Sequence, residues 1–126
     1  MKKLILSLLA LLLFSIGIYA QQPPQVDNPI DDVTENEGFG STTVDLTDVF
    51  SDPDGDAITL TATSDNEDVV TVAISLNTLT ITEVGNGICN VTVNAASVGP
   101  LDVDDVFVVT VNNLPDPPQV DNPIDD

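Results

Sequence analysis

The ten residues Pro23-Pro24-Gln25-Val26-Asp27-Asn28-Pro29-Ile30-Asp31-Asp32 recur without a change as Pro117 to Asp126. The copies start 94 residues apart, Pro23 against Pro117, about the length of one β-sandwich domain. A linker motif reused by chance is the alternative, but ten identities in ten residues favour a tandem array. The expected layout is a junction and first strand over 21–32, one repeat over 23–116, and over 117–126 the start of a second repeat, cut off after its first strand. The Pro-Pro pair opening each copy makes the junction a stiff, extended connection.

The residues ahead of the first copy are not expected to belong to the fold. Lys2 and Lys3 form a basic start, Leu4 to Ile18 an apolar run, and Tyr19-Ala20 leads into polar Gln21. This is the pattern of a secretory signal peptide over 1–20, with the small Ala20 suited to cleavage before Gln21. An uncleaved membrane anchor is the competing reading, but the run is shorter than the roughly 20 residues of a spanning helix. The remainder is expected at the cell surface or outside the cell.

Both basic residues lie in that leader, so the formal charge of −19 becomes −21 once it is removed, with no Lys, Arg or His left. Such a surface repels nucleic acid and anionic lipid and attracts cations. Disorder is the usual outcome for so acidic a chain, yet Val, Ile, Leu and Thr are abundant and regularly placed.

That placement has period 2. Thr43 to Leu46 is a short strand running into Thr47 to Phe50, with Val49 or Phe50 as the anchor at its end. Ala57 to Thr63 turns Ile58, Leu60 and Ala62 inward and three threonines outward. Val69 to Ile74 puts Val70, Val72 and Ile74 on one face, and Thr78 to Thr82 points its threonines to water. Cys89 to Ala95 and Asp105 to Val111 alternate in the same way, the latter with Phe107, Val109 and Val111 inward. Asn86-Gly87 marks a turn. About seven short strands and no helical period predict an all-β sandwich. Cys89, the only cysteine, falls on an inward face with no basic neighbour to activate it, and is expected to be a core residue.

The chemistry concentrates in Ser51-Asp52-Pro53-Asp54-Gly55-Asp56, where Pro53 and Gly55 favour a tight turn. Three carboxylates on one turn repel unless neutralised, and a hard cation with oxygen ligands, Ca²⁺ above all, suits them. The start matches an EF-hand loop, but Ala57 stands where that loop needs Gly and Thr63 where it needs the chelating Glu. A partial site, completed from elsewhere in the fold, is expected to be weak, roughly 10⁻⁴ to 10⁻³ M. A solvated acidic turn is the plain alternative. Asp31, Asp32, Glu35 and Glu37, just past the junction, either complete a site between successive domains or act as edge-strand charges that discourage aggregation.

Val33-Thr34-Glu35-Asn36-Glu37-Gly38, Val44 through Asp56 with its DPDGD ending, Asn77 to Thr80 and Asp105 to Val111 together resemble the bacterial cadherin-like, dystroglycan-type repeat, over roughly residues 23–116. The resemblance implies an immunoglobulin-like sandwich of about seven strands, used in tandem as an adhesive or spacing module that binds calcium near domain junctions. It implies Glu37, Asp52, Asp54 and Asp56 as ligands. Such repeats often carry an alanine-threonine-aspartate segment that ends in a further acid. Ala95-Ala96-Ser97 stands there in this chain, and Asp104, or its neighbours Asp102 and Asp105, is the candidate substitute.

Catalysis is not expected. Paired carboxylates suggest a glycosidase, but without the leader the aromatics are Phe39, Phe50 and Phe107, and no Trp or basic side chain assists an acid. The Asn90-Val91-Thr92 glycosylation triplet carries little weight alone. The leading expectation is a calcium-binding repeat, its partners calcium and neighbouring repeats. The runner-up is an accessory module binding surface glycans or proteins within a larger secreted protein, with Phe39 as its one plausible exposed aromatic. A metal-free spacer is the third.

Overall fold

The structure, a computed structural model, describes residues 19–118. Most of the expected leader and most of the second decapeptide lie outside the described residues. Nine strands occur and no helix among the described residues: β1 (Gln25–Val26), β2 (Val33–Asn36), β3 (Ser41–Asp45), β4 (Phe50–Ser51), β5 (Thr59–Ser64), β6 (Val70–Ser75), β7 (Thr78–Glu83), β8 (Gly87–Ala96) and β9 (Asp102–Asn112). Seven of them are longer than two residues, in line with the sequence pattern.

A four-stranded sheet in the order β2-β9-β8-β5 packs on a three-stranded sheet in the order β3-β7-β6. The two-residue strands β1 and β4 pair with each other. All pairings are antiparallel except β2 with β9, which run parallel from Val33 opposite Val109 to Asn36 opposite Asn112.

The alternation is what builds the core. Cys89, Val91, Val93 and Ala95 of β8 and Phe107, Val109 and Val111 of β9 point inward and meet Leu79 and Ile81 of β7 and Val70 of β6. Ile58, Leu60, Ala62, Val72 and Ile74 pack around this centre, as their periodicity predicts. Removing each fully buried Val, Leu, Ile or Phe from water contributes about 1.5–3 kcal/mol, against the cost of ordering the chain. Cys89 is buried in this cluster; burial pushes its thiol pKa up, the Asp65 charge adds to that, and only a contact with Ser64 opposes them. It is a small hydrophobe, as the sequence suggests.

Gly87 marks the one position where β8 requires glycine. Its φ is +142°, and a Cβ there would lie 2.9 Å from Val69 Cγ2.

The first decapeptide is docked along this sandwich. Pro24 is buried, and Val26 and Ile30 pack on the core. The N–H groups of Asp27 and Asn28 donate to the Val49 carbonyl at 2.8 and 3.3 Å, and Asn28 Nδ2 donates to the Asp48 carbonyl at 2.6 Å. The segment then crosses to β9, where Ile30 N donates to Asp105 Oδ2 and Val108 N donates to Asp32 Oδ1, both at 2.7 Å. Asp32 thus supplies by side chain the acceptor that β2 supplies by backbone from Val33 onward.

The ladders also fix two ends. Thr59, Ala96 and Asp102 form the last rung of the large sheet beside the acidic turn, which we term the loop end. Gly87 opposite Val111 and Asn36 opposite Asn112 close the far end. Along β9 the ends are ten residue steps apart, or about 33 Å.

Candidate metal centre

The acidic turn connects β4 to β5. Asp52 organises it: its Oδ1 accepts the N–H of Asp54 at 2.9 Å and of Asp56 at 3.2 Å, while its carbonyl accepts the N–H of Gly55 at 3.0 Å. Gly55 takes φ of +78°, which a turn this tight needs and a side chain resists. The fold therefore gathers the three acids: one carboxylate oxygen from each of Asp52, Asp54 and Asp56 lies within 4.8 Å of the others.

Asp52 Oδ2 is the informative atom. It is buried and has no hydrogen-bond partner, and so is the hydroxyl Oγ of Ser97. Desolvation pushes the Asp52 pKa up, but the N–H groups of Asp56 and Asp54, the nearby Ser97 hydroxyl and the Gly55 N–H outweigh it and hold the group below the usual carboxylate value. A buried carboxylate oxygen is costly unless a cation or donor meets it, and the Ser97 hydroxyl beside Asp52 is one such donor. The donor set is all oxygen, as Ca²⁺ requires, so these residues fit the ion that the sequence suggests. Ser97, the residue standing where the resemblance calls for an acid, sits at this site.

The chain ahead of β1 also reaches the turn. Gln22 N donates to Asp54 Oδ2 at 2.6 Å, and the Gln21 side-chain amide donates to Asp56 Oδ2. Each carboxylate keeps acceptor capacity beyond these bonds.

The other two expected ligands are not brought here. Glu37 follows β2 at the far end, where its N–H donates to the Asn112 carbonyl and Asn86 Nδ2 approaches its Oε1 at 3.4 Å. Asp104 lies exposed on the outer face of β9, its Oδ1 accepting Asn94 Nδ2 at 2.8 Å; the same amide bonds Asp102. Asp105, the remaining alternative, is the acceptor for Ile30 N. Strand alternation separates Asp104 from the turn, and the length of the sheet separates Glu37 from it.

Several acids not singled out from sequence serve the backbone. Glu83 accepts the N–H of Gly38 at 2.7 Å and of Gly40 at 3.0 Å, closing the turn between β2 and β3; these bonds lower its pKa. Asp65 accepts both the side-chain amide and the backbone N–H of Asn90, at 2.7 and 2.8 Å, and its pKa falls for that reason. Asn90 is the acceptor residue of the glycosylation triplet, and its amide is thereby engaged. No sequence signal marks such bonds, because the partners are 25 to 45 residues apart.

Phe39 is half-buried and packs against the core, so it does not form the exposed aromatic platform that a sugar site would use. A groove of 420 Å³ does run beside Ile30 and Val44, but Asp31, Asp32, Asp45 and Asp48 line it and no aromatic does.

No family model and no curated protein matches the sequence. Solved structures do match in shape. The PKD domain from the KIAA 1837 protein aligns with a TM-score of 0.55 and 18% identity over 82% of this chain and 98% of that one. An endo-fucoidan hydrolase from glycoside hydrolase family 107 aligns with a TM-score of 0.55 and 18% identity over 79% of this chain. A nucleoside hydrolase-related hypothetical protein from Saccharophagus degradans, described as associated with carbohydrate metabolism, aligns with a TM-score of 0.53 and 16% identity over 75% of this chain. This chain spans only 14% of the fucoidan hydrolase and 26% of the Saccharophagus protein. At these identities the likeness concerns shape alone, and with the strand order above it makes the chain an immunoglobulin-like β-sandwich.

Proposed function

We propose that the chain is a non-catalytic, exported cell-surface module: a calcium-binding, cadherin-like repeat that acts in adhesion or as a rigid spacer. The observation that carries this reading is the cluster of three carboxylates on one hydrogen-bonded turn, with Asp52 Oδ2 buried beside the Ser97 hydroxyl. Asp52, Asp54 and Asp56 would hold the ion, with Ser97 as an added oxygen; the ion neutralises the turn. Because Gln21 and Gln22 already rest on Asp54 and Asp56, an ion held there ties the entering chain to the sandwich and stiffens the junction. In an array the far end of one unit precedes the loop end of the next. Glu37 then serves as a donor to the following junction, not to its own turn.

The test is a thermal melt of the full chain with millimolar Ca²⁺, with excess chelator, and with Mg²⁺. A weak site saturated by Ca²⁺ raises the midpoint by roughly 5–15 °C, since only the folded state binds. Asp54→Ala is expected to abolish that rise. Equal rises with both ions would reassign the effect to screening of the −19 charge, and no rise would leave a metal-free spacer.

A second reading, an accessory carbohydrate- or protein-binding module of a larger secreted protein, is favoured by one observation. Two of the similar structures are long proteins of which this unit matches a small part, one of them a fucoidan hydrolase. The acid-lined groove without aromatics argues against sugar stacking. Binding to a panel of neutral polysaccharides that persists in chelator would favour this reading over the first.

A further inference from the structure

The sandwich has two flanks, each formed by one edge strand of either sheet. On the flank of β2 and β3, acids guard the edges: Glu35 lies in β2, Asp45 in β3, and Asp31, Asp32 and Asp48 line the groove beside them. The other flank is formed by β5 and β6. β5 reads Thr59-Leu60-Thr61-Ala62-Thr63-Ser64 and β6 reads Val70-Thr71-Val72-Ala73-Ile74-Ser75; neither holds a charge, a proline or a glycine. In a chain of formal charge −19, such a flank lacks the devices that normally keep a sheet edge from pairing.

The backbone of β6 is open on that side. Ser75 and Thr78 close the two-residue turn to β7 and so exchange hydrogen bonds. Two rungs beyond Thr71, Val84 N donates to the Val69 carbonyl at 2.9 Å, in the same alternate series. Thr71 and Ala73 therefore bond β7, which turns the N–H and C=O groups of Val72 and Ile74 away from it. The side chains of Val72 and Ile74 are only half-buried, while Leu79 and Ile81 on β7 are fully buried. Leu76, just past the end of β6, is exposed.

We propose that β6 is a self-association edge: the β6 of a second copy pairs with it antiparallel, about a two-fold axis at Ala73, and joins two three-stranded sheets into one of six. Val72 and Ile74 of each copy then exchange backbone bonds with Ile74 and Val72 of the other. Ala73 faces its own counterpart across the axis, Thr71 meets Ser75, and Leu76 comes opposite Val70. An axis at Thr71 would instead call on the Val70 N–H, which already donates to the Asn66 carbonyl at 3.3 Å. An axis at Ser75 would put the turn where a strand is needed. The pairing also keeps like charge apart. The two Asp68 residues lie ten residue steps from each other along the seam, about 33 Å and several screening lengths at physiological salt. A parallel pairing would set them side by side. An uncharged edge offers a basic partner nothing to pair with, whereas every group on it is matched by the same edge turned about the axis. The flank stands clear of the points where the chain enters and leaves the unit, so the pairing depends neither on what precedes or follows it nor on calcium.

A cysteine trap on the full chain tests the axis. Ala73 and Thr43 are both exposed on the outer face of the small sheet, the first on β6 and the second on β3. Ala73→Cys is expected to give at least roughly tenfold more disulfide-linked dimer than Thr43→Cys, because residues facing each other in a non-hydrogen-bonded pair hold their Cα atoms about 4.5 Å apart, within disulfide reach. Cys89 is buried in both variants. Association through any other surface would cross-link the two positions alike. Sedimentation of the unmodified chain is expected to show a monomer–dimer equilibrium that NaCl strengthens by screening the charge of both copies. Ala73→Glu, which sets two carboxylates opposite each other at the axis, is expected to abolish the dimer, and Thr43→Glu to leave it in place. Equal cross-linking at the two positions, a monomer at every concentration, or a dimer that survives Ala73→Glu would overturn the proposal.

Discussion

The two ends of the sandwich handle local cost differently. At the far end the awkward groups are provided for: the positive φ values fall on Gly38, Gly40 and Gly87, and Glu83 commits both carboxylate oxygens to the N–H groups of Gly38 and Gly40. At the loop end Gly55 and Gly99 also take positive φ, but Asp52 Oδ2 is buried without a hydrogen bond, and Leu76, 92% exposed in the two-residue turn from β6 to β7, takes φ of +54°. A left-handed leucine costs about 1–2 kcal/mol where glycine would cost little, and hairpin turns of this length ordinarily place glycine or asparagine at such a position. A carboxylate is thus a finished structural part at one end and an open valence at the other. The one left-handed non-glycine residue and the unmet polar groups of the described residues thus collect at one end.

Five substitutions press on this contrast, from the largest expected effect to the smallest. Phe107→Ala strikes the core common to both ends and is expected to cost about 3–5 kcal/mol by denaturant unfolding, yet to leave the calcium response in place. If it also removed that response, the loop end would not be locally built. Leu76→Gly is expected to stabilise the chain by about 1 kcal/mol, raising the melting midpoint with or without Ca²⁺; a loss of stability would mean that the exposed leucine is held by contacts. Glu83→Gln addresses the far end through pH. The folded Glu83 pKa lies below its ordinary 4.5, so its contribution is present above that value and is lost as pH falls through the lowered one. The variant is expected to show a shallower fall in melting temperature on acidification below about pH 4.5, with no change in calcium response. Glu37→Gln and Asp104→Asn are expected to leave the calcium-induced shift of the single unit within about 1 °C, because neither side chain reaches the turn.

Much of the fold is legible in the sequence alone. Period 2 locates β3 and β5 through β9 to within a few residues and assigns Ile58, Val70, Cys89 and Phe107 inward, since burial on one face of a strand writes itself into alternate positions. The acidic turn is legible too, because its ligating groups are local. What sequence does not reveal is the pairing of groups far apart. Asp32 looks like a free junction acid and Asp105 like a candidate ligand, but they serve as acceptors for Val108 and Ile30. Glu37 sits close to the junction in sequence yet at the opposite end in space, because β2 runs parallel to β9 and carries the chain away from the turn. Phe39, flanked by glycines, reads as exposed, whereas the turn that Glu83 closes folds it onto the core.

The parallel pairing has a mechanical consequence. The chain enters at the loop end and leaves β9 at the far end, so tension along the molecule pulls β2 and β9 in opposite directions along their shared ladder. The four rungs from Val33–Val109 to Asn36–Asn112 are then loaded together in shear, not opened one by one like a zipper. The Asp32 and Asp105 bonds extend that clamp toward the point of entry. A unit built this way yields to force only when the whole patch slips at once, and that resistance comes from its topology rather than from the depth of its core.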